Sequence, residues 1–155
     1  MKPKVDHIQH YTIQEVSKLC GLPSSTLRYY ETIGLIHPIH RDESSKHRTY
    51  SEDDVNYAIA LACLNSVGLS IEDMRSYMKN FTLGAEAAQE QVALLEPQKK
   101  RIAEEAKHLK LRQEYIDVKI SYWKAVAKND TAQIEAMGEK AFEVAKALKL
   151  PQPVS

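Results

Sequence analysis

Residues 11–36 read YTIQEVSKLCGLPSSTLRYYETIGLI and contain two helical patterns separated by a short turn. Thr12 is followed three positions later by a glutamate, which is the spacing of a capping box and predicts that the first helix begins here. Gly21 ends this pattern, because glycine readily adopts the left-handed conformation that closes a helix. Ser24 or Ser25 can then cap a second helix. Two short helices joined by a turn of about four residues that contains glycine predict a helix-turn-helix.

The second predicted helix has large side chains on more than one face. Leu27, Tyr30 and Ile33 recur three residues apart and predict its buried face. Tyr29 then falls on the other side, so we expect one tyrosine in the core and one at the surface. An alternative is that both tyrosines fill the interior of a small domain.

Residues 35–50 combine a few apolar residues with a polar, turn-rich middle, which predicts two short extended segments joined by a loop, a wing. Ser51 and Ser70 each stand three positions before an aspartate, so they predict the caps of a third and a fourth helix. We therefore expect residues 1–80 to form one winged helix-turn-helix DNA-binding domain.

Residues 81–128 are predicted to contain a linker and one long helix with an apolar seam, because apolar side chains recur there every seven positions, as in a coiled coil. Pro97 lies near its start, so we expect the helix to begin late or to kink there. The residues of this predicted seam are Val92, Leu95, Ile102, Ala106, Leu109, Ile116, Ile120 and Trp123.

A second apolar stripe, which includes Tyr115 and Tyr122, widens the distal half of this helix. The alternative to a wider dimer seam is that this stripe packs against the end of the chain. Residues 129–155 begin with an Asn-Asp-Thr break and predict a short C-terminal helix with an effector or packing role, which Pro151 and Pro153 stop. The predicted fold class is therefore mainly α.

The composition is that of a folded chain without a charge bias. Of 155 residues, 43% are hydrophobic and 27% are charged, and 21 basic residues balance 21 acidic ones. Charge alone does not indicate nucleic-acid binding, so a DNA hypothesis depends on motifs. Because no apolar run approaches about 18 residues and no signal-peptide core is present, we expect a cytoplasmic protein without membrane association.

Only two cysteines occur, without a histidine-rich tract, so we expect no disulfide framework, no metal site and no cofactor. No paired carboxylate, Ser-His-Asp set or glycine-rich phosphate loop stands at positions suited to catalysis, so the sequence does not indicate an enzyme. The remaining classes are a DNA-binding regulator and a coiled-coil interaction module whose helix-turn-helix contacts protein.

The motifs TLRYYE, IGLI, RTY and GLSIEDM follow one another within residues 10–80. In this order they resemble the MerR family of transcriptional regulators. The resemblance implies a homodimer, joined by an antiparallel coiled coil, that binds palindromic promoter DNA. It makes residues 81–128 the linker and dimerisation helix, and the seam residues its dimerisation residues. It also implies that the dimer bends and untwists a promoter whose spacer is too long, so that RNA polymerase, an indirect partner, can use it.

We expect DNA contacts from the second helix and from the wing. Arg28 can reach a phosphate or a guanine edge, and the start of its helix offers hydroxyls and N–H groups to phosphates. Asp42 and Glu43 disfavour contacts at the wing tip, and a solvated polar loop is the alternative interpretation of the wing. Arg48 and Tyr50 match the family pattern best. The candidate DNA-binding residues are Thr12, Ser24, Ser25, Arg28, Tyr29, Arg41, Lys46, His47, Arg48 and Tyr50.

Soft-metal and iron–sulfur sensors of this family need cysteines that this chain lacks, since none occurs after Cys63. Cys63 stands five residues before the Gly-Leu-Ser turn, as in the aldehyde- and electrophile-responsive branch. This resemblance implies a thiolate that attacks an electrophile, whereas inert packing is the alternative, and Cys20 is expected in the core. A rival effector is a small apolar or aromatic molecule held by Tyr115, Tyr122 and Trp123.

Overall fold

The computed structural model describes residues 9–149, and helices make up most of this part of the chain. No strand occurs within these residues, where two isolated β-bridges are found instead. A mainly helical fold, with a helix-turn-helix followed by one long helix, is confirmed. The predicted helix stop at Pro151 and Pro153 lies outside the described residues. The helices are α1 (Ile13–Cys20), α2 (Ser24–Thr32), α3 (Glu52–Ser66), α4 (Ile71–Phe81), a 3₁₀ helix (Gly84–Ala87), α5 (Ala88–Ala127) and α6 (Thr131–Ala147).

The capping box of α1 forms as predicted. Thr12 Oγ1 accepts a hydrogen bond from the Glu15 amide at 3.3 Å, and Glu15 Oε2 accepts one from the Thr12 amide at 2.7 Å. The bond from the Thr12 amide is the main reason why the pKa of the Glu15 carboxyl is lowered. Gly21 closes the helix at a φ of 77°, which residues with side chains rarely adopt. Ser51 and Ser70 cap α3 and α4, also as predicted.

The predicted serine cap of α2 is wrong. Pro23 occupies the cap position, and no side-chain hydrogen bond caps the helix there. Its ring holds φ at −58°, and its carbonyl accepts hydrogen bonds from the Thr26 and Leu27 amides at 2.9 and 3.1 Å. Because the proline starts the helix in this way, Ser24 and Ser25 are residues of its first turn.

The wing is a narrow loop, and two single bridges replace the two predicted extended segments. Tyr11 pairs with Tyr50, and Arg41 pairs with Arg48, both in antiparallel orientation. The chain reverses through Lys46, whose φ is 59°. β-bridge pairing does not extend beyond the bridge between Arg41 and Arg48, because the residues between these two arginines form the turn.

The described residues as far as Gln98 form one compact unit, and those from Lys99 onward form a second. The first unit extends beyond residue 80 because the start of α5 packs against it, with Leu94 in contact with the core. The division into three functional domains stays a prediction. The largest fully buried side chains of this core are Tyr50, Leu27, Leu61, Met74 and Val16.

Helix α5 continues through Pro97 without interruption, so the predicted late start is wrong. A proline here removes the amide that would bond to the carbonyl of Ala93. Ala93 and Pro97 are both exposed, so water can reach that carbonyl. Solvation of the freed carbonyl explains why the helix tolerates the proline.

The second unit buries the second apolar stripe within the chain. Tyr115 and Tyr122 are half-buried, and Lys140 Nζ lies 3.6 Å from Glu114 Oε1. The intramolecular interpretation of this stripe therefore agrees with the structure. The buried residues in the described part of this unit are Val118, Ala125, Ala141 and Val144.

Candidate nucleic-acid interface

A groove of about 340 Å³ lies where the start of α1, helix α2 and the wing meet. Its lining contains arginine, lysine and histidine side chains, together with uncharged ones, and no carboxylate. A concave, cationic surface of this kind attracts the phosphate backbone of a nucleic acid. Six of the ten candidate DNA-binding residues line it, namely Thr12, Arg28, Arg41, Lys46, His47 and Arg48.

The exposed face of α2 adjoins this groove through Arg28. Ser25, Arg28 and Tyr29 are exposed, and the last two follow Ser25 by three and four positions, so all three share one side of the helix. Tyr29 is 51% exposed, whereas Tyr30 is 4% exposed and belongs to the core. The predicted inward turn of Tyr30 is confirmed, and Ser24 is half-buried beside this face.

Tyr50 is the candidate that the structure contradicts as a surface contact. Its side chain is 1% exposed, and its backbone exchanges hydrogen bonds with Tyr11 at 2.8 and 2.9 Å. Burial raises the pKa of the Tyr50 hydroxyl. The bridge to Tyr11 draws this residue into the core, so Tyr50 supports the wing from within.

Arg48 joins the wing to α2. Its Nε donates a hydrogen bond to Glu31 Oε2 at 2.5 Å, and both side chains are largely buried. Glu31 Oε1 also accepts a hydrogen bond from the Ile39 amide at 3.4 Å. Arg48 therefore lines the groove while it also holds the wing in place, a structural role that its sequence position did not indicate.

Asp42 has a structural role at the wing tip. Its Oδ1 accepts hydrogen bonds from the Ser44 hydroxyl at 2.6 Å and from the Ser45 amide at 2.7 Å, among others. The Ser44 hydroxyl is the largest cause of the lowered pKa of this carboxyl. Arg41 Nη1 donates to the Lys46 carbonyl at 3.3 Å. Asp42, whose place in the sequence counted against DNA contacts at the wing tip, thus orders the turn that carries the basic residues.

Arg75 of α4 is a contributor that sequence reasoning missed. Its guanidinium donates to the Gly34 carbonyl from Nη1 and to the Ile33 carbonyl from Nη2, each at 2.8 Å. These carbonyls lie at the C-terminal end of α2, where no intrahelical partner remains. The contact joins residues that are 41 and 42 positions apart, so no local pattern in a single sequence could have found it.

The predicted dimer seam forms an exposed apolar stripe along α5. All eight of its residues are exposed, and Trp123 is the most exposed large one at 65%. An apolar stripe of this kind on a charged helix marks a surface that another protein surface covers. Tyr115 lines a hollow with Leu148, whereas Trp123 lines a different one with Ile120.

Cys63 is exposed, and Cys20 is half-buried against the core, where its Sγ accepts a hydrogen bond from the Leu22 amide at 3.4 Å. The reactivity of Cys63 stays a prediction. Within residues 9–149, no group of three or more His, Cys, Asp or Glu side chains could hold a metal ion. Over the same residues, no helix is both long enough and apolar enough to cross a bilayer.

Several known proteins resemble this chain in sequence or in fold. A family model for the MerR HTH family regulatory protein matches residues 11–80. The HTH-type transcriptional regulator AdhR of Bacillus subtilis is 37% identical over 92 residues, which make up 59% of this chain and just under two thirds, 65%, of AdhR. A crystal structure from Listeria monocytogenes, described as a MerR family transcriptional regulator, is 31% identical over 88% of this chain and 98% of its own, with a TM-score of 0.59. HiNmlR, a MerR family regulator lacking the sensor domain and solved bound to promoter DNA, has the same fold at 24% identity, with a TM-score of 0.65 over 94% of this chain and 100% of its own.

Proposed function

The chain belongs to the MerR family of helix-turn-helix transcriptional regulators, and we propose that it binds palindromic promoter DNA as a homodimer and bends and untwists it. The basic groove between α2 and the wing is the observation that carries this proposal. The relative HiNmlR, which has the same fold, was solved bound to promoter DNA. We also propose that the protein acts in the cytoplasm, where it would meet promoter DNA.

In this proposal α2 is the recognition helix. Arg28, Ser25 and Tyr29 face the DNA from its exposed side, with Arg28 at a phosphate or a guanine edge. Lys46 and His47 of the wing contact the neighbouring backbone, since both are exposed and line the same groove. Phosphate contacts set the position of the domain, and base contacts select the operator.

The exposed seam of α5 supports the homodimer. An apolar stripe that repeats every seven residues is suited to a second copy of the same helix. We assign residues 1–80 to DNA binding, 81–128 to the linker and dimerisation helix, and 129–155 to an effector or packing segment. RNA polymerase is then an indirect partner, because it meets the distorted promoter.

We place the protein in the electrophile-responsive branch through Cys63. Its exposure allows a small aldehyde or another electrophile to reach the thiol. The thiolate sulfur adds to the carbonyl carbon of the aldehyde while the C=O π bond breaks, and the carbonyl oxygen takes up the proton that the thiol released, which gives a hemithioacetal. A second candidate is a small aromatic molecule bound near Tyr115, supported by the hollow of about 640 Å³ which that side chain helps to line.

Protection mapping on the DNA upstream of its own gene and of the neighbouring genes tests the proposal. We expect one protected inverted repeat. The affinity for that fragment, measured by fluorescence titration, should fall steeply as salt is added, because phosphate contacts release counterions. An interaction module that uses its helix-turn-helix for protein contacts would show neither result. Release of a product from a candidate substrate would instead indicate an enzyme.

A further inference from the structure

The first turns of α5 present two different faces. Ala87, at the end of the 3₁₀ helix, and Gln98 are buried, and Leu94 packs against the core of the first unit. With Gln91 these residues follow the spacing i, i+4, i+7 and i+11, which places them on one side of a helix. This side faces the DNA-binding domain.

Two glutamines on this face are hydrogen-bonded to the domain. Gln91 Nε2 donates to the Tyr77 carbonyl of α4 at 3.0 Å, and Gln98 Nε2 donates to the Val67 carbonyl at the end of α3. The glutamines are seven residues apart, so they lie on the same side of α5. Each donates its hydrogen bond to a different helix of the domain. We call Gln91 and Gln98 the glutamine pair.

The turn after α3 is shaped to accept Gln98. Gly68 has a φ of 83°, and a Cβ atom there would lie 2.9 Å from Gln98 Nε2. The glycine of the Gly-Leu-Ser turn therefore meets two requirements, a left-handed backbone and room for the glutamine amide. Close approach of a side chain to a glycine in this way indicates a built contact.

Helix α4 is tied to the recognition helix as well. Arg75 donates hydrogen bonds to the Gly34 and Ile33 carbonyls at the end of α2. Arg75 lies on α4 two residues before Tyr77, whose carbonyl accepts the hydrogen bond from Gln91. Directional hydrogen bonds thus connect α5 to α4, and α4 to α2. Apolar contacts alone allow neighbouring helices to slide, whereas a donor aimed at one carbonyl sets a single register.

The seam residues Val92 and Leu95 lie on the same turns of α5 as the glutamine pair, rotated about the helix axis from it by about 110° and about 50° respectively. We propose that Gln91 and Gln98 are positioning residues that hold these seam residues at a set place relative to the recognition helix. The proposal rests on the proposed DNA-binding function. If Val92 and Leu95 of each copy keep one place relative to their own recognition helix, the domain cannot shift at its end of the seam to suit the DNA, so the DNA must deform instead.

Loosening the glutamine pair should separate binding from distortion. One hydrogen bond alone leaves α5 free to pivot about it, so the loss of either bond lets each recognition helix move to suit an undistorted half-site. The dimer would then bind DNA without spending binding energy on bending it. A residue that only stabilises the fold would instead change binding and distortion together.

The test compares Gln98→Met and Gln91→Met with the wild-type protein and with a control, Gln89→Met. Methionine matches glutamine in length but donates no hydrogen bond, and Gln89 is exposed on the same turns. The DNA is the fragment that wild-type protection mapping identifies. End-to-end energy transfer reports bending, 2-aminopurine at the centre of the repeat reports untwisting, and a titration gives Kd.

At full occupancy we expect each variant to reduce both distortion signals at least about fivefold while Kd stays within about threefold, which corresponds to a coupling of ordinary size. Gln89→Met should behave as wild type. Unchanged distortion in both variants overturns the proposal, as does a loss that only follows weaker binding. If Gln98→Met fails to fold, the distortion and Kd of Gln91→Met decide whether the proposal holds. If both variants unfold, the pair only stabilises the fold and the proposal is wrong. Failure of the wild-type protein to bind or distort the fragment would instead refute the proposed function.

Discussion

Glu31 shows how one residue can position a DNA-binding surface without contacting DNA. It lies on α2 and accepts hydrogen bonds from Arg48 and from the Ile39 amide, which belong to the two sides of the wing. Since Arg48 also lines the basic groove, the carboxylate partly neutralises this cation while it orders the loop. A charged hydrogen bond in a largely buried place contributes about 1.5–3 kcal/mol to stability, more than an exposed ion pair does.

Arg28→Ala should weaken DNA binding by about 1–3 kcal/mol if the guanidinium reads a base, and should then relax the sequence preference at one position. A phosphate contact predicts uniform weakening and a salt slope that is smaller by about one. Fluorescence titrations at several salt concentrations distinguish these outcomes. Lys18→Ala is the control, because Lys18 is exposed on α1 and does not line the groove. Equal effects of the two changes would contradict a specific role for Arg28.

Cys63→Ser should abolish the transcriptional response to formaldehyde-like electrophiles while DNA binding remains intact, because a hydroxyl is a far weaker nucleophile than a thiolate. Reporter transcription with and without the aldehyde measures the first effect, and a titration measures the second. Cys20→Ser serves as the control for loss of a thiol. A full response in the Cys63 variant would favour the small aromatic effector instead.

At the scale of elements, α2 is placed by its neighbours more than by its own sequence. It has nine residues and starts without a side-chain cap, and an isolated helix of this length is not stable in water. The core residues Leu27 and Tyr30 fix one face, and Arg75 holds its end. The recognition surface is therefore only as well positioned as α4.

Arg75→Lys tests this dependence, since lysine keeps the charge but cannot donate two fixed parallel hydrogen bonds. We expect a loss of about 1 kcal/mol in the free energy of unfolding and a similar weakening of DNA binding. Chemical denaturation and a DNA titration measure the two effects. Lys79→Arg, an exposed change on the same helix, should leave both unchanged. If Arg75→Lys matches the wild-type protein, the two carbonyl contacts do not position α2.

At the scale of the whole molecule, the exposed seam of α5 is the feature that a single chain leaves uncovered. Leu109 is 54% exposed, and Trp123 is still more so. Large apolar side chains on a helix with many charges have no stabilising role unless another surface covers them. We propose that a second copy covers this stripe, because a palindromic operator matches a two-fold symmetric dimer.

Leu109→Glu should raise the dissociation constant of the dimer at least about tenfold, because the seam would have to bury a carboxylate without a partner. Analytical ultracentrifugation measures the dimer, and binding to an inverted repeat should fall with it. Lys110→Glu introduces a carboxylate one residue away from Leu109, outside the seam, with a larger change in net charge, and serves as the control. A monomeric wild-type protein at working concentrations would refute the dimer itself.

Local patterns predicted part of the site and misread another part. The three-residue spacing of Leu27 and Tyr30 correctly turned one tyrosine inward, because helical periodicity depends only on neighbouring residues. The serine cap of α2 was wrong because Pro23 competes for the same position. Tyr50 was misread as a DNA contact, since its burial depends on a bridge to Tyr11, 39 positions away in the chain.

The sequence by itself determined the helix starts at Thr12, Ser51 and Ser70 and the heptad stripe of α5, because caps and periodicity act over a few residues. Only the tertiary structure decided how the basic residues gather in one groove and how Arg75 and the glutamine pair join the helices. Those contacts connect backbone carbonyls to side chains far away in the chain, and a carbonyl has the same chemistry at every residue. No residue type marks in advance which carbonyl a distant donor will find.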